Sequence, residues 1–168
     1  MEPLITDRLL LRPFTLEDAK DIFELNGDPI VMKYTGDQPF ISIAEAQKFI
    51  QNYDHFKKWE RGRFGVFLRE NNAFIGWCGL KYHEDTEETD LGYRFKKFFW
   101  GKGYGTEAAG ICIKDGFERL NLQRIYAEAH TKNMGSIRIM EKVGMKFHKE
   151  TLFESDPGLI YDIFKTKI

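Results

Sequence analysis

The apolar positions fall into short clusters near the start of the chain and into longer periodic stretches further on. Arg8-Leu-Leu-Leu-Arg-Pro13 is a short apolar strand that Pro13 ends. Thr15 followed three residues later by Asp18 has the form of a helix N-cap. Ala19, Ile22 and Phe23 give the helix behind it an apolar stripe, which Asn26-Gly27 closes. Asp28-Pro29 opens another turn and predicts a short helix through Tyr34. Ser42 with Glu45 is a capping box; Ala46, Phe49, Ile50 and Tyr53 then recur at helical spacing until Gly62 stops the run.

Strands follow. Phe64–Arg69 alternates loosely, Asn71-Asn72 supplies a hairpin-like turn, and Ala73–Tyr82 forms the next strand with Gly76 and Gly79 inside it. Glycines there mark bulges or the close approach of another backbone. A charged loop, Glu84–Glu88, leads into a strand over Thr89–Phe95. The second half changes pattern. Gly101-Lys-Gly-Tyr-Gly105 opens a helix from Thr106 to about Leu120, with Ala109, Ile113, Phe117 and Leu120 as its buried stripe. A strand over Arg124–Ala129, a helix over Asn133–Val143 closed by Gly144, and two strands starting at Met145 and Leu159 complete the chain. The order is that of an α+β or mixed α/β sheet of about seven strands, in one domain over residues 1–168.

Composition narrows the classes. At 168 residues the chain can bury a real core, and 42% hydrophobic with 30% charged residues fits neither disorder nor a membrane span. A formal charge of −1 argues against a nucleic-acid binder. Met1–Arg8 lacks the apolar stretch of a signal peptide, so a cytoplasmic protein is expected. Cys78 and Cys112 are too few for a disulfide framework or a zinc site and read as buried small hydrophobes. His55, His83, His130 and His148 show no metal-ligand spacing and read as surface or packing residues, so no metal is expected. No G-x-S-x-G occurs, which argues against a hydrolase nucleophile. Fifteen Phe, seven Tyr and three Trp suggest a core and a cleft built from rings; Tyr34, Trp59, Trp77 and Tyr82 are candidates for the cleft.

The glycine turn is the first chemical signal. A strand, a Gly-rich turn and a helix start together form an anion site, because the first N–H groups of a helix lack internal partners and the dipole is positive there. Gly101-Lys-Gly-Tyr does not supply a Walker A loop, and Thr106 stands where a dinucleotide fingerprint needs its third Gly or Ala. An acetyl-coenzyme A turn is the third option, and a plain strand–helix connection is the fourth.

Longer segments separate these readings. Leu91-Gly-Tyr-Arg-Phe-Lys-Lys-Phe-Phe-Trp-Gly-Lys-Gly-Tyr-Gly-Thr-Glu-Ala-Ala109 resembles the coenzyme A signature of GNAT-type N-acetyltransferases. Asn133-Met-Gly-Ser-Ile-Arg-Ile-Met-Glu-Lys-Val-Gly-Met-Lys-Phe147 resembles a second segment of that family. Thr6-Asp-Arg-Leu-Leu-Leu-Arg-Pro13 is similar to the start of its RimJ/RimL branch, the ribosomal-protein N-terminal acetyltransferases.

The resemblance implies a mostly antiparallel twisted sheet with flanking helices, in which the fourth and fifth strands, Thr89–Phe95 and Arg124–His130, run parallel and splay apart. Acetyl-CoA is the implied cosubstrate. Tyr93, Arg94 and Phe95 are then expected to contact acetyl and pantetheine through main chain. Trp100, Gly101, Lys102, Gly103, Tyr104, Gly105 and Thr106 would hold the pyrophosphate. Trp100 replaces the family's usual Gln or Arg, which backbone binding tolerates, and Trp is common there in the RimJ/RimL branch. Asn133 would bond the pantetheine arm, with Ser136 near the sulfur. Asp90 and Glu128 are the candidate proton acceptors. Many members carry a Tyr acid four residues after the Ser136 position; Met140 stands there, so Ser136 takes the acid role by analogy with the branch. Asp90 also reads as a strand-end cap, and Ser136 and Asn133 as ordinary first-turn and capping residues.

The function implied is transfer of acetyl from acetyl-CoA to a primary amine, either a protein N-terminal α-amine or a small molecule, by a monomer or homodimer. A coenzyme A-binding module without catalysis and a nucleotide-phosphate binder are the alternatives. Acceptor choice is expected to lie in Pro29–Phe40 and Lys81–Glu88.

Overall fold

Successive residues of a strand point to opposite sides of a sheet, and here each side has its own core. Leu9, Leu11, Phe64, Val66, Leu91 and Ile125 enter one cluster, whereas Phe67, Phe74 and the half-buried Leu10 and Trp77 enter another. The computed structural model describes residues 1–166. Its strands are β1 (Leu4–Ile5), β2 (Leu9–Arg12), β3 (Arg63–Leu68), β4 (Phe74–His83), β5 (Glu88–Phe95), β6 (Arg124–His130), β7 (Lys146–Phe153) and β8 (Asp156–Phe164). They form one sheet in the order β1-β2-β3-β4-β5-β6-β8-β7. The two-residue β1 adds an eighth strand to the seven expected, too short to show a period in sequence. Every neighbouring pair is antiparallel except β5 and β6.

The helices are α1 (Ala19–Gly27), α2 (Pro29–Met32), α3 (Ile43–Asn52), α4 (His55–Trp59), α5 (Tyr104–Glu118) and α6 (Met134–Lys142). α5 and α6 bury Ala108, Ala109, Cys112, Ile137 and Met140 in the first cluster. α1 and α3 bury Ile22, Leu25 and Ala46 in the second. The sheet therefore has an α5/α6 face and an α1/α3 face. Cys78 and Cys112 are buried side by side; the sulfur of Cys78 and burial push the Cys112 thiol well up, which suits inert packing. Among the described residues no helix is long and apolar enough to cross a membrane, and no cluster of His, Cys, Asp or Glu could hold a metal.

Two local expectations change, and a third holds. The helical run behind Ser42 does not continue to Gly62: α3 stops at Asn52 and Tyr53 is extended, with ψ 95°. Its hydroxyl accepts the Arg63 N–H at 2.7 Å and its ring packs on Phe14, Phe49 and Phe56. Ser42 does accept the Glu45 N–H at 3.2 Å, but the Glu45 carboxylate reaches the N–H of Ile41 instead of Ser42. Asp18 holds the expected capping position: it takes the Thr15 N–H at 2.7 Å at the end of the 3-10 turn Leu16–Asp18 and is buried against both terminal nitrogens of Arg12.

The strand glycines mark close backbone approaches. A Cβ on Gly76 would run into the Arg94 carbonyl, beside the β3–β4 bulge at Val66/Phe67, and one on Gly79 would meet the Gly62 carbonyl and the Arg63 Cα. Gly79→Ala must therefore part β3 from β4. We expect a loss of about 1–3 kcal/mol in urea unfolding at unchanged m; a midpoint equal to the parent's would contradict this packing.

Candidate active site

The region begins where β5 and β6 part. Asp90 pairs with Tyr126, and no further register pair joins the two strands. From Leu91 to Phe95 β5 stays paired with β4, and from Ala127 to His130 β6 stays paired with β8. The facing edges between them thus carry unpaired backbone groups, which a sheet interior does not normally leave.

The glycine turn lies beyond the open end. Gly101 and Gly103 have φ of +73° and +82°, the left-handed region glycine enters without strain. Among the described residues the N–H groups of Gly101 through Thr106 donate to no protein acceptor; the Glu107 N–H closes the first helical bond on the Gly103 carbonyl at 3.0 Å. These are the free donors that a helix start and its preceding turn offer to an anion. Trp100 differs. Its N–H is held by the Lys97 carbonyl at 3.1 Å and its indole N–H by the Phe95 carbonyl at 2.8 Å, so it folds the turn onto the end of β5 and adds no free amide. The N-terminal segment braces the turn from outside. Arg8 donates to the Lys102 carbonyl at 3.0 Å and pairs with Glu107 in the first turn of α5 at 2.6 Å; Thr6 bonds Glu107 at 2.6 Å. Burial raises the Glu107 carboxyl, but the donors from Thr6 and Arg8 outweigh it and hold it below its ordinary range.

On the α1/α3 face, Arg63 crosses Gly79 and Gly92 to reach Asp90 at 2.7 Å; a Cβ on Gly92 would strike its guanidinium. The other Asp90 oxygen is 3.0 Å from His83 Nε2. Burial would raise this carboxyl, but Arg63 and His83 prevail and keep it below the ordinary carboxylate range. Glu128 lies two residues past Tyr126 on the same face, half-buried, and moves the other way. Burial, then the charges of Asp90 and Glu154, push it up against a smaller pull from His83.

On the α5/α6 face, the Tyr93 hydroxyl donates to the Ser136 carbonyl at 2.8 Å and lies 3.0 Å from Ser136 Oγ. Burial pushes the Tyr93 phenol strongly up, and the contact with Ser136 only partly offsets it. Asn133 caps α6 by accepting the Ser136 N–H at 3.2 Å, which leaves its side-chain NH₂ available. Met140 is fully buried in the core.

A cleft of about 280 Å³ opens on the α1/α3 face between Phe14, Phe40, Phe49 and Trp77, with Asn26, Asp37, Gln38, Arg63 and Arg94 also lining it. The Arg94 side chain turns into this cleft, where Nη1 donates to Asn26 at 2.7 Å and Nη2 pairs with Asp37, so only its main chain borders the strand gap. Of the expected acceptor segments, Pro29–Phe40 supplies lining residues and Lys81–Glu88 supplies none. Among the candidate cleft rings, Trp77 lines it, Tyr34 stacks on His130 at 4.9 Å, and Trp59 and Tyr82 stack on each other at 4.7 Å. A second cavity of about 300 Å³ is lined by Arg61, Tyr82, Glu87, Glu88, Thr89 and Arg124 among others, so the candidate ring Tyr82 and the end of the Lys81–Glu88 segment border this cavity instead.

The sequence thus points to the turn, Asp90, Glu128 and the Asn133–Ser136 pair, and misses Arg63, His83 and the Arg8–Glu107 brace. A signal for Arg63 is present in Gly79 and Gly92, which leave its path clear. His83 has no local signal, because its partner comes from the neighbouring strand.

Comparison with known proteins agrees with this geometry. Residues 8–146 match the Acetyltransferase (GNAT) domain, and the chain belongs to that family. It is 33% identical, over 98% of its length and 94% of the relative's, to p20 of Bacillus licheniformis, an uncharacterized N-acetyltransferase. A GNAT-family acetyltransferase from Bacillus anthracis superposes with a TM-score of 0.83 at 27% identity, covering 97% of this chain and 98% of the other. The ribosomal L7/L12 α-N-protein acetyltransferase RimL, solved with coenzyme A, shares the fold with a TM-score of 0.84 at 14% identity, over 97% and 98% of the two chains. The protein is thus a GNAT acetyltransferase with acetyl-CoA as cosubstrate.

The free amides of the turn are the observation on which cosubstrate fit rests. Gly103→Val adds branched bulk at a positive φ, within reach of Arg8. Calorimetry is expected to show acetyl-CoA affinity reduced at least about tenfold, with the circular dichroism of the parent. Unchanged affinity in the folded variant would remove the turn from the binding site.

Proposed function

We propose that the protein moves the acetyl group of acetyl-CoA to a primary amine, of a protein N-terminus or a small molecule, by direct attack in a ternary complex. The parted β5 and β6, ending at a turn of unpartnered amides, carry this reading. The turn amides of Gly101–Thr106 take the pyrophosphate, the main chain of Tyr93, Arg94 and Phe95 takes the pantetheine arm, and the Asn133 NH₂ donates to it. Acetyl-CoA brings the thioester carbonyl that the amine attacks.

Three protein groups then divide the proton chemistry. An N–H on the open edge of β5 donates to the carbonyl oxygen as charge develops there. Glu128 takes the proton from the amine. A carboxylate held above its ordinary range is the better base of the two candidates, because it binds a proton more strongly. Asp90 is a poor proton acceptor while Arg63 and His83 hold it ionised, and it serves instead to position them. Ser136 returns a proton to the leaving thiolate, with the Tyr93 hydroxyl 3.0 Å behind it. Met140 carries no proton to give, so the acid role rests on Ser136. This bears on the reading in which the fold binds coenzyme A without catalysis, since Met140 is the substitution that favours it.

Thiol release from acetyl-CoA with a panel of primary amines tests the proposal; binding without release from any amine would leave the binding module. The base form of Glu128 accumulates only as pH rises through its elevated value, so kcat/KM is expected to climb across that interval. Glu128→Gln should remove the limb and lower kcat by about 10²-fold; an intact limb in the variant would place the base elsewhere. For Ser136→Ala we expect kcat to fall about tenfold with acetyl-CoA affinity little changed, and equal turnover would show that Ser136 is not the acid.

A further inference from the structure

We infer that the acceptor is a primary amine on an apolar, ring-sized body that also carries a carbonyl or carboxylate oxygen, and that polyamines are poor acceptors. The inference rests on the transferase reading above and concerns the cleft on the α1/α3 face, which Arg63 connects to Asp90.

The walls set the body. Phe14, Phe40, Phe49 and Trp77 line a space of about 280 Å³, enough for one side chain of ring size and too small for a folded surface. Phe40 and Phe49 stack at 5.7 Å, and Phe14 and Phe49 at 6.5 Å, so the walls are held by one another. Phe49 is nevertheless 38% exposed, so it presents an apolar ring that a ligand can cover.

The polar groups set the partner. Arg63 and Arg94 lie 5.5 and 5.2 Å from the Trp77 ring centre and bring two fixed positive charges to the cleft. Their carboxylate partners are already engaged, Asp90 by Arg63 and His83, and Asp37 by Arg94. The Asn26 side-chain oxygen is occupied by Arg94 Nη1, which leaves the Asn26 NH₂ as a donor. Each guanidinium is thus charge-compensated, and the donors left open among the described residues are the buried Arg94 Nε, which has no protein acceptor, and the Asn26 NH₂. A second ammonium, as in a polyamine, meets these donors and carboxylates already committed to arginines there. An oxygen on the acceptor molecule meets donors. A free amino acid derivative and the first residue of a peptide both present this chemistry.

Initial rates of thiol release, with acetyl-CoA saturating, decide the matter for four amines: phenylalanine amide, the tripeptide Phe-Gly-Gly, 2-phenylethylamine and spermidine. The expected kcat/KM for phenylalanine amide or for the tripeptide is at least about a hundredfold above that for spermidine. A higher value for the amide identifies a small molecule as the source of the chemistry, and a higher value for the tripeptide identifies a polypeptide N-terminus. 2-Phenylethylamine, which has the ring and no oxygen, is expected to be slower than both; equal rates would overturn the role of the donors. Spermidine equal to or faster than the aromatic amines would overturn the inference while leaving the transferase reading intact. No release with any amine, by protein that binds acetyl-CoA, would overturn both. Phe49→Ala is expected to raise KM for the favoured aromatic amine about tenfold at similar kcat, with KM for acetyl-CoA unchanged; equal KM values in variant and parent would show that the cleft is not where the acceptor's body sits.

Discussion

Two parallel strands that pair once and then separate create a demand that the rest of the molecule is arranged around. A sheet gains most of its cohesion from continuous ladders, and backbone groups left along an inner edge must find partners or water. Here β5 and β6 pair at Asp90 and Tyr126 and go no further, yet each is fully paired on its outer side. The gap is thus held open by well-satisfied neighbours. The same separation lets groups from both faces of the sheet approach one another, with Tyr93 and Ser136 on the α5/α6 side and Asp90 and Glu128 on the other.

Electrostatics around the gap follows from which groups are neutralised. Asp90 gains Arg63 and His83 and stays ionised; Glu128 is desolvated by burial, has carboxylates for neighbours and is pushed toward its neutral form. Two acids thereby acquire opposite tendencies, and the proposed division between positioning and proton transfer rests on that contrast. At the other end, Arg8 and Glu107 hold the glycine turn by its carbonyl side, so that its amides face outward unpaired. The N-terminal segment thus packs on the glycine turn, even though it lies about a hundred residues away in sequence.

Much of this architecture is legible in the amino-acid sequence. Element order, the helix start at Asn133, a helix opened by the glycine turn (expected from Thr106, observed from Tyr104), and the parting of two particular strands follow from periodicity, capping residues and family resemblance. The break at Tyr53 is not legible, because the bond that ends α3 comes from Arg63, ten residues on. Trp100 illustrates a different limit. Its glycines locate the turn, but whether an amide is free depends on the carbonyl that folds back on it, and Lys97 carries no signal of that. Arg94 is expected to act through its main chain, whereas its side chain belongs to the cleft on the opposite side from the turn. His83 reads as packing because spacing rules see partners along the chain and not across a strand pair.

The central claim is that the unpaired amides of the turn and of the strand edge are the groups that grip the cosubstrate. Amide hydrogen exchange with and without acetyl-CoA measures this directly. Slowed exchange is expected in two separate segments, Gly101–Thr106 and Leu91–Phe95, with the outer strands β1, β2 and β7 unchanged. Saturating acetyl-CoA that leaves both segments exchanging as in the free protein, or that protects residues elsewhere instead, would contradict it.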